Sequence, residues 1–378
     1  MRIANRIIGD EYPVFVVAEI GQNHQGSLQI AKQMILKAKE IGADCVKFQK
    51  SCLTEKFTRQ ALERPYENAN SWGSTYGEHK SFLEFSVDDY EELLKFCAEI
   101  GILFSASAMD PVSLKQLTQL NLPFIKIGSG DADNVQFLKA VAALDTPVII
   151  STGMQSWAQV KLIHSIFYKK SAAILHCVSS YPTPPGEALL NLIQIYRNEF
   201  QDFVIGYSGH ELGLQTSVAS VLLGARIVER HFTLDNSWKG TDHKCSLNPE
   251  KFQKLIQYIR IAENLPIVTS VADVERGLKS ILQPGEFCQN DLIECLKPLT
   301  QQDRKLLPSE IPCHAKLGKS LVFAKYIEVG QVIKIGDLTV KVSEPRGLSP
   351  TKHDQMIGQT AARCCYADEP VLEEDFVK

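Results

Sequence analysis

Eight short apolar runs, separated by stretches with helical spacing, fill the first three-quarters of the 378-residue chain, and this alternation limits the possible folds more than any other feature. The runs fall at 14–20, 45–49, 102–107, 124–128, 148–152, 173–177, 203–208 and 226–231. Each is rich in Val, Ile or Phe and has the length of a strand buried on both faces. Between them apolar residues return with a helical period. Ile30, Met34, Ile35 and Ala38 share one face, with Gly42 beyond them as a C-cap, and DDYEELLKFCAEIG repeats the pattern and stops at Gly101. Strand and crossover helix, eight times over, predict a (β/α)8 TIM barrel. A doubly wound open sheet is the runner-up, because periodicity alone does not show closure.

The expected organisation is a barrel over residues 1–284, a polar, proline-containing linker over 285–313, and a small β-rich domain over 314–378. So small a unit is marginal alone and should pack on something else, its own barrel or a partner chain. The second βα connection, about 51–87, is too long for a compact barrel and reads as a lid or binding loop over the C-terminal face.

Composition narrows the function classes. A net charge of −4 gives no basic excess for a nucleic-acid backbone. No run approaches the roughly 18 apolar residues of a membrane span, and no export signal is evident. Ten cysteines lie scattered without a CxxC pair, several inside apolar runs, as expected of reduced thiols in a cytoplasmic protein.

In barrels, the chemistry collects where strands give way to loops. Here those ends carry Glu19; Lys47 and Gln49; Ser105 and Ser107; Lys126, Ser129 and Gly130; Ser151, Thr152 and Gly153; His176, Ser179, Ser180 and Tyr181; Ser208 and His210; and Glu229 and His231, with Asp242 and His243 close behind. Any one of these charges could be a surface residue on a misplaced strand. A coincident set is hard to reconcile with a purely structural role, since an unpaired buried ion costs several kcal/mol. Two lysines with hydroxyls and glycine N–H groups suit a phosphate or carboxylate, and the loops GSGD and STGM read together as an anion cradle. His210 and His231 close consecutive strands, so two imidazoles could share a divalent ion such as Mn²⁺, Co²⁺ or Zn²⁺. His164 and His314 read as structural.

The motifs EIGQNHQG, CVKFQK, IKIGSGD, STGMQS, SSYPTP, GYSGH and ERHFTLD, in this order, closely resemble the N-acetylneuraminate (sialic acid) synthase family. The tail, KLGKSLVFAKYIEVGQVI with TVKVSEPRG, resembles its antifreeze-like (SAF) domain. SWGSTYGEHK and WKGTDH look more like the animal-type branch, which uses N-acetylmannosamine 6-phosphate and makes N-acetylneuraminate 9-phosphate. The resemblance implies a divalent metal on His210 and His231, with Mn²⁺ expected and Mg²⁺ or Co²⁺ as alternatives. It implies phosphoenolpyruvate on Lys47, Lys126, Ser129, Ser151 and Ser208, with Ser74 or its neighbours capping it. Gln49, Tyr181 and Asp242 would face the open-chain sugar, and Glu19 would sit beside the metal and the reacting water or aldehyde. A domain-swapped homodimer is implied, with Arg346 of the small domain meeting the acetamido group. Ser179 stands where bacterial members carry asparagine.

The reaction implied joins phosphoenolpyruvate to an N-acetylmannosamine-type sugar with C–O cleavage. A related synthase acting on a deoxygenated diacetamido sugar (legionaminic or pseudaminic type) is the alternative. Lys80, Arg64 and Lys239 are candidates for holding a 6-phosphate. Two rivals differ in kind: a Schiff-base aldolase using Lys126 or Lys47, and a carbohydrate-binding protein without catalysis.

Overall fold

A computed structural model describes residues 1–377 and has eight parallel strands in a closed barrel. A short antiparallel hairpin, β1 (Arg2–Ile3) and β2 (Arg6–Ile7), precedes it. The barrel strands are β3 (Phe15–Gly21), β4 (Cys45–Lys50), β5 (Leu103–Ala108), β6 (Ile125–Ile127), β7 (Val148–Ser151), β8 (Ala172–Cys177), β9 (Val204–Gly209) and β10 (Ile227–His231). They pair in sequence order, and β10 closes on β3 with His231 opposite Glu19. Closure removes the open-sheet alternative. The strands coincide with the eight apolar runs to within a residue or two.

The period-two alternation of strands decides what the barrel holds. One parity faces the surrounding helices: Val16, Ala18, Ile20, Val46 and Phe48 belong to the large layer between strands and helices. The other parity faces the axis. Its first tier is apolar, with Phe15, Val17, Cys45, Phe124, Ile149, Ala173, Leu175 and Ile227 fully buried. Ile3 and Ile8 of the N-terminal hairpin region join this plug and seal that end. Two residues further along each strand the same inward parity turns polar: Val17 gives way to Glu19, Cys45 to Lys47, Phe124 to Lys126, Ile149 to Ser151 and Ile227 to Glu229. The site is thus the polar storey of a barrel whose lower storey is packed shut.

Local signals place the helices. Ser27 caps Leu28–Glu40 by accepting from Ile30 N–H. A capping box at Ser86 starts Val87–Ile100, which ends at Gly101 with φ +73°. The long second connection holds the helices Leu53–Lys56, Arg59–Glu63 and Tyr76–Leu83.

The linker is a fitted part of the barrel's upper face. Glu310 is fully buried, and its carboxylate accepts from Met154 N–H at 2.7 Å, Ser179 N–H at 2.8 Å and Leu307 N–H at 3.1 Å. Buried Arg304 lies 3.9 Å from it and donates to Thr152 O. The helix Ile311–Leu317 then crosses the C-terminal end of the barrel, so the boundary expected at 314 falls inside a helix. The small domain follows, with β11 (Ser320–Phe323) antiparallel to β12 (Leu338–Lys341) and its own apolar core around Leu321, Phe323, Ile327 and Val371. It rests on the barrel of the same chain. Thr58 N–H donates to Val342 O at 3.0 Å, Val342 N–H to Lys56 O at 2.8 Å, and Lys341 to Thr54 O at 2.7 Å. Among the described residues, no helix is long and apolar enough to cross a membrane.

Candidate functional site

A cavity of about 460 Å³ opens where the polar storey meets the βα loops, the long connection and the linker helix. Its walls include Glu19, Lys47, Gln49, Lys126, Ser129, Ser151, Ser179, Tyr181, Ser208, His210, His231 and Asp242, twelve of the fourteen residues expected from sequence.

At its centre lie two lysines and two glutamates, each less than a tenth exposed. Lys47 Nζ is 2.6 Å from Glu19 Oε2 and 3.7 Å from Glu229 Oε1; Lys126 Nζ is also 3.7 Å from Glu229 Oε1. Hydroxyls complete the set. Lys47 donates to Ser107 at 3.0 Å, Lys126 to Ser151 at 2.6 Å, and Ser208 to Glu229 at 3.3 Å. Gln49 Nε2 donates to Glu19 Oε1 at 2.7 Å. Burial raises the Glu19 carboxyl above its usual range, against the pull of Lys47. Burial lowers Lys126, and Glu229 only partly offsets it. Burial also works against charge on Lys47, but Glu19 and then Glu229 outweigh it and raise its pKa. Lys47 thus holds its proton more firmly than usual and Lys126 less firmly, beside a carboxyl group that holds its proton more readily than usual.

The two cradle loops meet as expected. Gly153 N–H donates to Ser129 Oγ at 2.9 Å, and Gln155 reaches Ser129 O at 2.9 Å. A Cβ on Gly153 would lie 2.1 Å from Ser179 Oγ and 2.7 Å from Ser129 Oγ, so only glycine lets the loops close.

The histidines lie further out along the same strands: His210 follows Ser208 at the end of β9, and His231 follows Glu229 on β10, beside Glu19. The rings of His210 and His231 are 5.4 Å apart, and Tyr181 covers His210 at 4.1 Å. His210 Nδ1 meets Val178 O at 2.8 Å; a carbonyl can only accept, so Nδ1 carries a proton and Nε2 is the nitrogen left for a metal. His231 Nδ1 is buried without a hydrogen-bond partner and lies 3.9 Å from Asp242 Oδ2. Burial lowers His231 to about 4, which keeps its ring neutral. Two imidazoles with a carboxylate beside them suit a borderline divalent ion. Among the described residues, no group of three or more His, Cys, Asp or Glu is placed to hold a metal, so water or substrate oxygens would have to complete the coordination. His176 is fully buried, bonded to Ala188 O at 2.7 Å and outside the cavity.

Two expected residues do not line the cavity of this single chain. Ser74 donates to Glu78 at 2.9 Å within the start of the helix Tyr76–Leu83. Arg346, expected to meet the sugar across a domain-swapped dimer, donates within its own chain to His314 O at 2.8 Å and Lys319 O at 3.3 Å, in and just after the linker helix. In this single chain, the small domain therefore reaches the site through the linker and Lys319, which pairs with Asp131. The structure adds Gln22, Lys56, Cys177, Lys316 and Lys319 to the walls and places Lys80, a candidate for holding a 6-phosphate, among them.

A family model described as the NeuB family matches residues 34–266, and a SAF domain model matches 318–377. The chain is 46% identical to the N-acetylneuraminate-9-phosphate synthase of Drosophila melanogaster, over 96% of each chain. It is 43% identical to the Homo sapiens protein of that name, covering 98% of this chain and 94% of that one. The crystal structure of a spore coat polysaccharide biosynthesis protein from Bacillus subtilis superposes with a TM-score of 0.77 at 27% identity, covering 100% of this chain and 99% of that one.

Proposed function

The chain belongs to the NeuB family, and from that premise we propose that it is a sialic acid synthase. It condenses phosphoenolpyruvate with N-acetylmannosamine 6-phosphate to give N-acetylneuraminate 9-phosphate and phosphate. The observation that carries this reading is the cavity itself: paired Lys/Glu charges and hydroxyls, with two histidines and Asp242 beside them. The full-length similarity to 9-phosphate synthases points to the phosphorylated acceptor.

His210 and His231 would hold a divalent ion, Mn²⁺ foremost. When bound, such an ion supplies Lewis acidity at the sugar aldehyde. The chain's own residues do the rest. Lys47, Lys126, Ser129, Ser151 and Ser208 hold the phosphate and carboxylate of phosphoenolpyruvate and orient C3 towards the aldehyde carbon. Bond formation leaves positive charge at C2, which the buried carboxylates of Glu19 and Glu229 favour. Water adds at C2, and the tetrahedral adduct expels phosphate with its bridging oxygen. Glu19 takes the proton of that water and returns one to the new hydroxyl, a role suited to a carboxyl whose pKa burial has raised. Tyr181, Gln49 and Asp242 face the sugar. The protein works in the cytoplasm as a homodimer; exchange of small domains between two chains would make in trans the contacts described above, and light scattering gives the mass.

A second reading draws on the lowered basicity of Lys126: a Schiff-base aldolase with that lysine as nucleophile. The test is to incubate metal-stripped protein with phosphoenolpyruvate and either N-acetylmannosamine or its 6-phosphate, with and without Mn²⁺. Metal-dependent phosphate release with a nine-carbon sugar acid supports the synthase. Metal-independent turnover with borohydride trapping by pyruvate supports the aldolase.

A further inference from the structure

The lysines of the cavity fall into two groups. Lys47 and Lys126 face Glu229, Lys47 also meets Glu19, and Lys319 is paired with Asp131. Lys56, Lys80 and Lys316 line the same cavity, yet among the described residues none has a carboxylate within 4 Å. They come from separate places: the end of the helix Leu53–Lys56, the helix Tyr76–Leu83, and the linker helix Ile311–Leu317.

Their contacts are neutral. Lys56 Nζ, in a residue 6% exposed, meets Met109 Sδ at 2.8 Å and Ser51 Oγ at 3.4 Å. Lys80 donates to Gln22 Oε1 at 2.7 Å. Lys316 lies 5.6 Å and 5.7 Å from the ring centres of Tyr66 and Tyr76. The nearby acids are engaged elsewhere: Glu84 with Lys50 at 2.6 Å, Asp131 with Lys319, and Asp242 with Thr241 at 2.7 Å. Burial, and then repulsion from Lys80, lowers Lys56 to about 7; burial, and then repulsion from Lys316, lowers Lys80 to about 8. Three basic side chains without a paired carboxylate suit a ligand that brings the negative charge.

Asp242 links this cluster to the histidines. Its carboxylate lies 3.9 Å from His231 and feels the charges of Lys316 and Lys80. An open-chain sugar with its aldehyde at the histidines and its hydroxyls along Asp242 would direct its far end to the lysines.

We propose that Lys56, Lys80 and Lys316 form a second anion subsite that takes the phosphoryl group of the acceptor and sets the preference for a phosphorylated sugar. The inference rests on the synthase reading above. Lys316 gives it a further consequence: the phosphoryl group ties the linker helix to the long second connection, so the acceptor draws the roof of the site together.

The experiment uses full-length protein and the variants Lys56→Gln, Lys80→Gln and Lys316→Gln, with Lys80→Arg as the charge-retaining control. kcat/KM is measured for N-acetylmannosamine 6-phosphate and for N-acetylmannosamine at saturating phosphoenolpyruvate, and calorimetry reads binding of each sugar without turnover. The selectivity ratio should fall about tenfold or more in each Gln variant, the loss of one charged hydrogen bond, and should be largely kept in Lys80→Arg. Equal losses on both sugars, or none on either, would overturn the subsite. So would a parent protein that binds the phosphorylated sugar no more tightly than the plain one. Absence of turnover with intact, lysine-dependent binding of the phosphorylated sugar would count against the synthase reading and still support the subsite.

Discussion

Replacing Glu229 with Gln should leave the cavity's shape intact and unbalance its charge. Glu229 Oε1 stands 3.7 Å from the ammonium groups of both Lys47 and Lys126. At an effective dielectric of about 20, each attraction is on the order of 4 kcal/mol. Lys47 keeps Glu19 at 2.6 Å, but Lys126 is left without a carboxylate partner. Orphaning one buried charge costs roughly 3–5 kcal/mol, part of which Lys126 recovers by shedding a proton that burial already loosens. The expected loss is about 3 kcal/mol, read by urea denaturation of the full-length protein. A lysine whose folded pKa is depressed weakens the fold most at low pH, because the unfolded chain binds the proton that the folded one refuses. The deficit of Glu229→Gln should therefore narrow as pH rises from 7 towards about 10, the ordinary lysine range. Inorganic phosphate should also stabilise the variant more than the parent, since it replaces the missing negative charge. A variant within about 0.5 kcal/mol of the parent, the scatter of ordinary surface changes, or phosphate protecting both equally, would refute the reasoning.

Glu19→Gln should nearly abolish turnover while leaving the far-ultraviolet circular dichroism close to the parent's; surviving turnover would remove Glu19 from the proton transfers. Glu310→Ala strands the N–H groups of Met154 and Ser179 and the charge of Arg304, and should cost about 3 kcal/mol. Limited proteolysis should then cut within 299–317 faster than in the parent. Burial holds His24 and His176 at about 3, so their neutral forms favour the folded state above the unfolded pKa of about 6.5, and this is lost as pH falls. Stability should drop by about 2 kcal/mol per histidine between pH 6.5 and 5, with a shallower slope in His176→Asn; a flat profile would contradict the assignment.

The barrel and its inner charges were legible because both follow from one rule. Inward parity carries Val17 to Glu19 and Phe124 to Lys126, and packing alone rarely places a charged residue at the end of an apolar run. The same rule separates His176, which takes outward parity and bonds Ala188, from His231, which takes inward parity and lines the cavity. What the sequence left obscure comes from segments without a period. Lys56 and Lys316 lie 260 positions apart, on a short helix of the long connection and on the linker helix, and only the packing of the linker through Glu310 brings them together. Of the three basic residues weighed for a sugar phosphate, Lys80 faces the cavity. Arg64 pairs with Glu344 at 3.1 Å, and Lys239 lies 4.9 Å over Trp72. Family resemblance pointed Ser74 at the substrates, but its hydroxyl bonds Glu78 at a helix start; Arg346, expected to act across a dimer, bonds His314 within its own chain.

The proposed chemistry turns on phosphoenolpyruvate losing phosphate by C–O cleavage while its C3 bonds to a sugar aldehyde. Phosphoenolpyruvate carrying ¹⁸O in the bridging position tests this in one turnover with N-acetylmannosamine 6-phosphate and Mn²⁺. The label should leave wholly in the released phosphate, and the nine-carbon product should carry oxygen from water at C2. Label retained in the product or in free pyruvate would contradict the mechanism and the role given to Glu19.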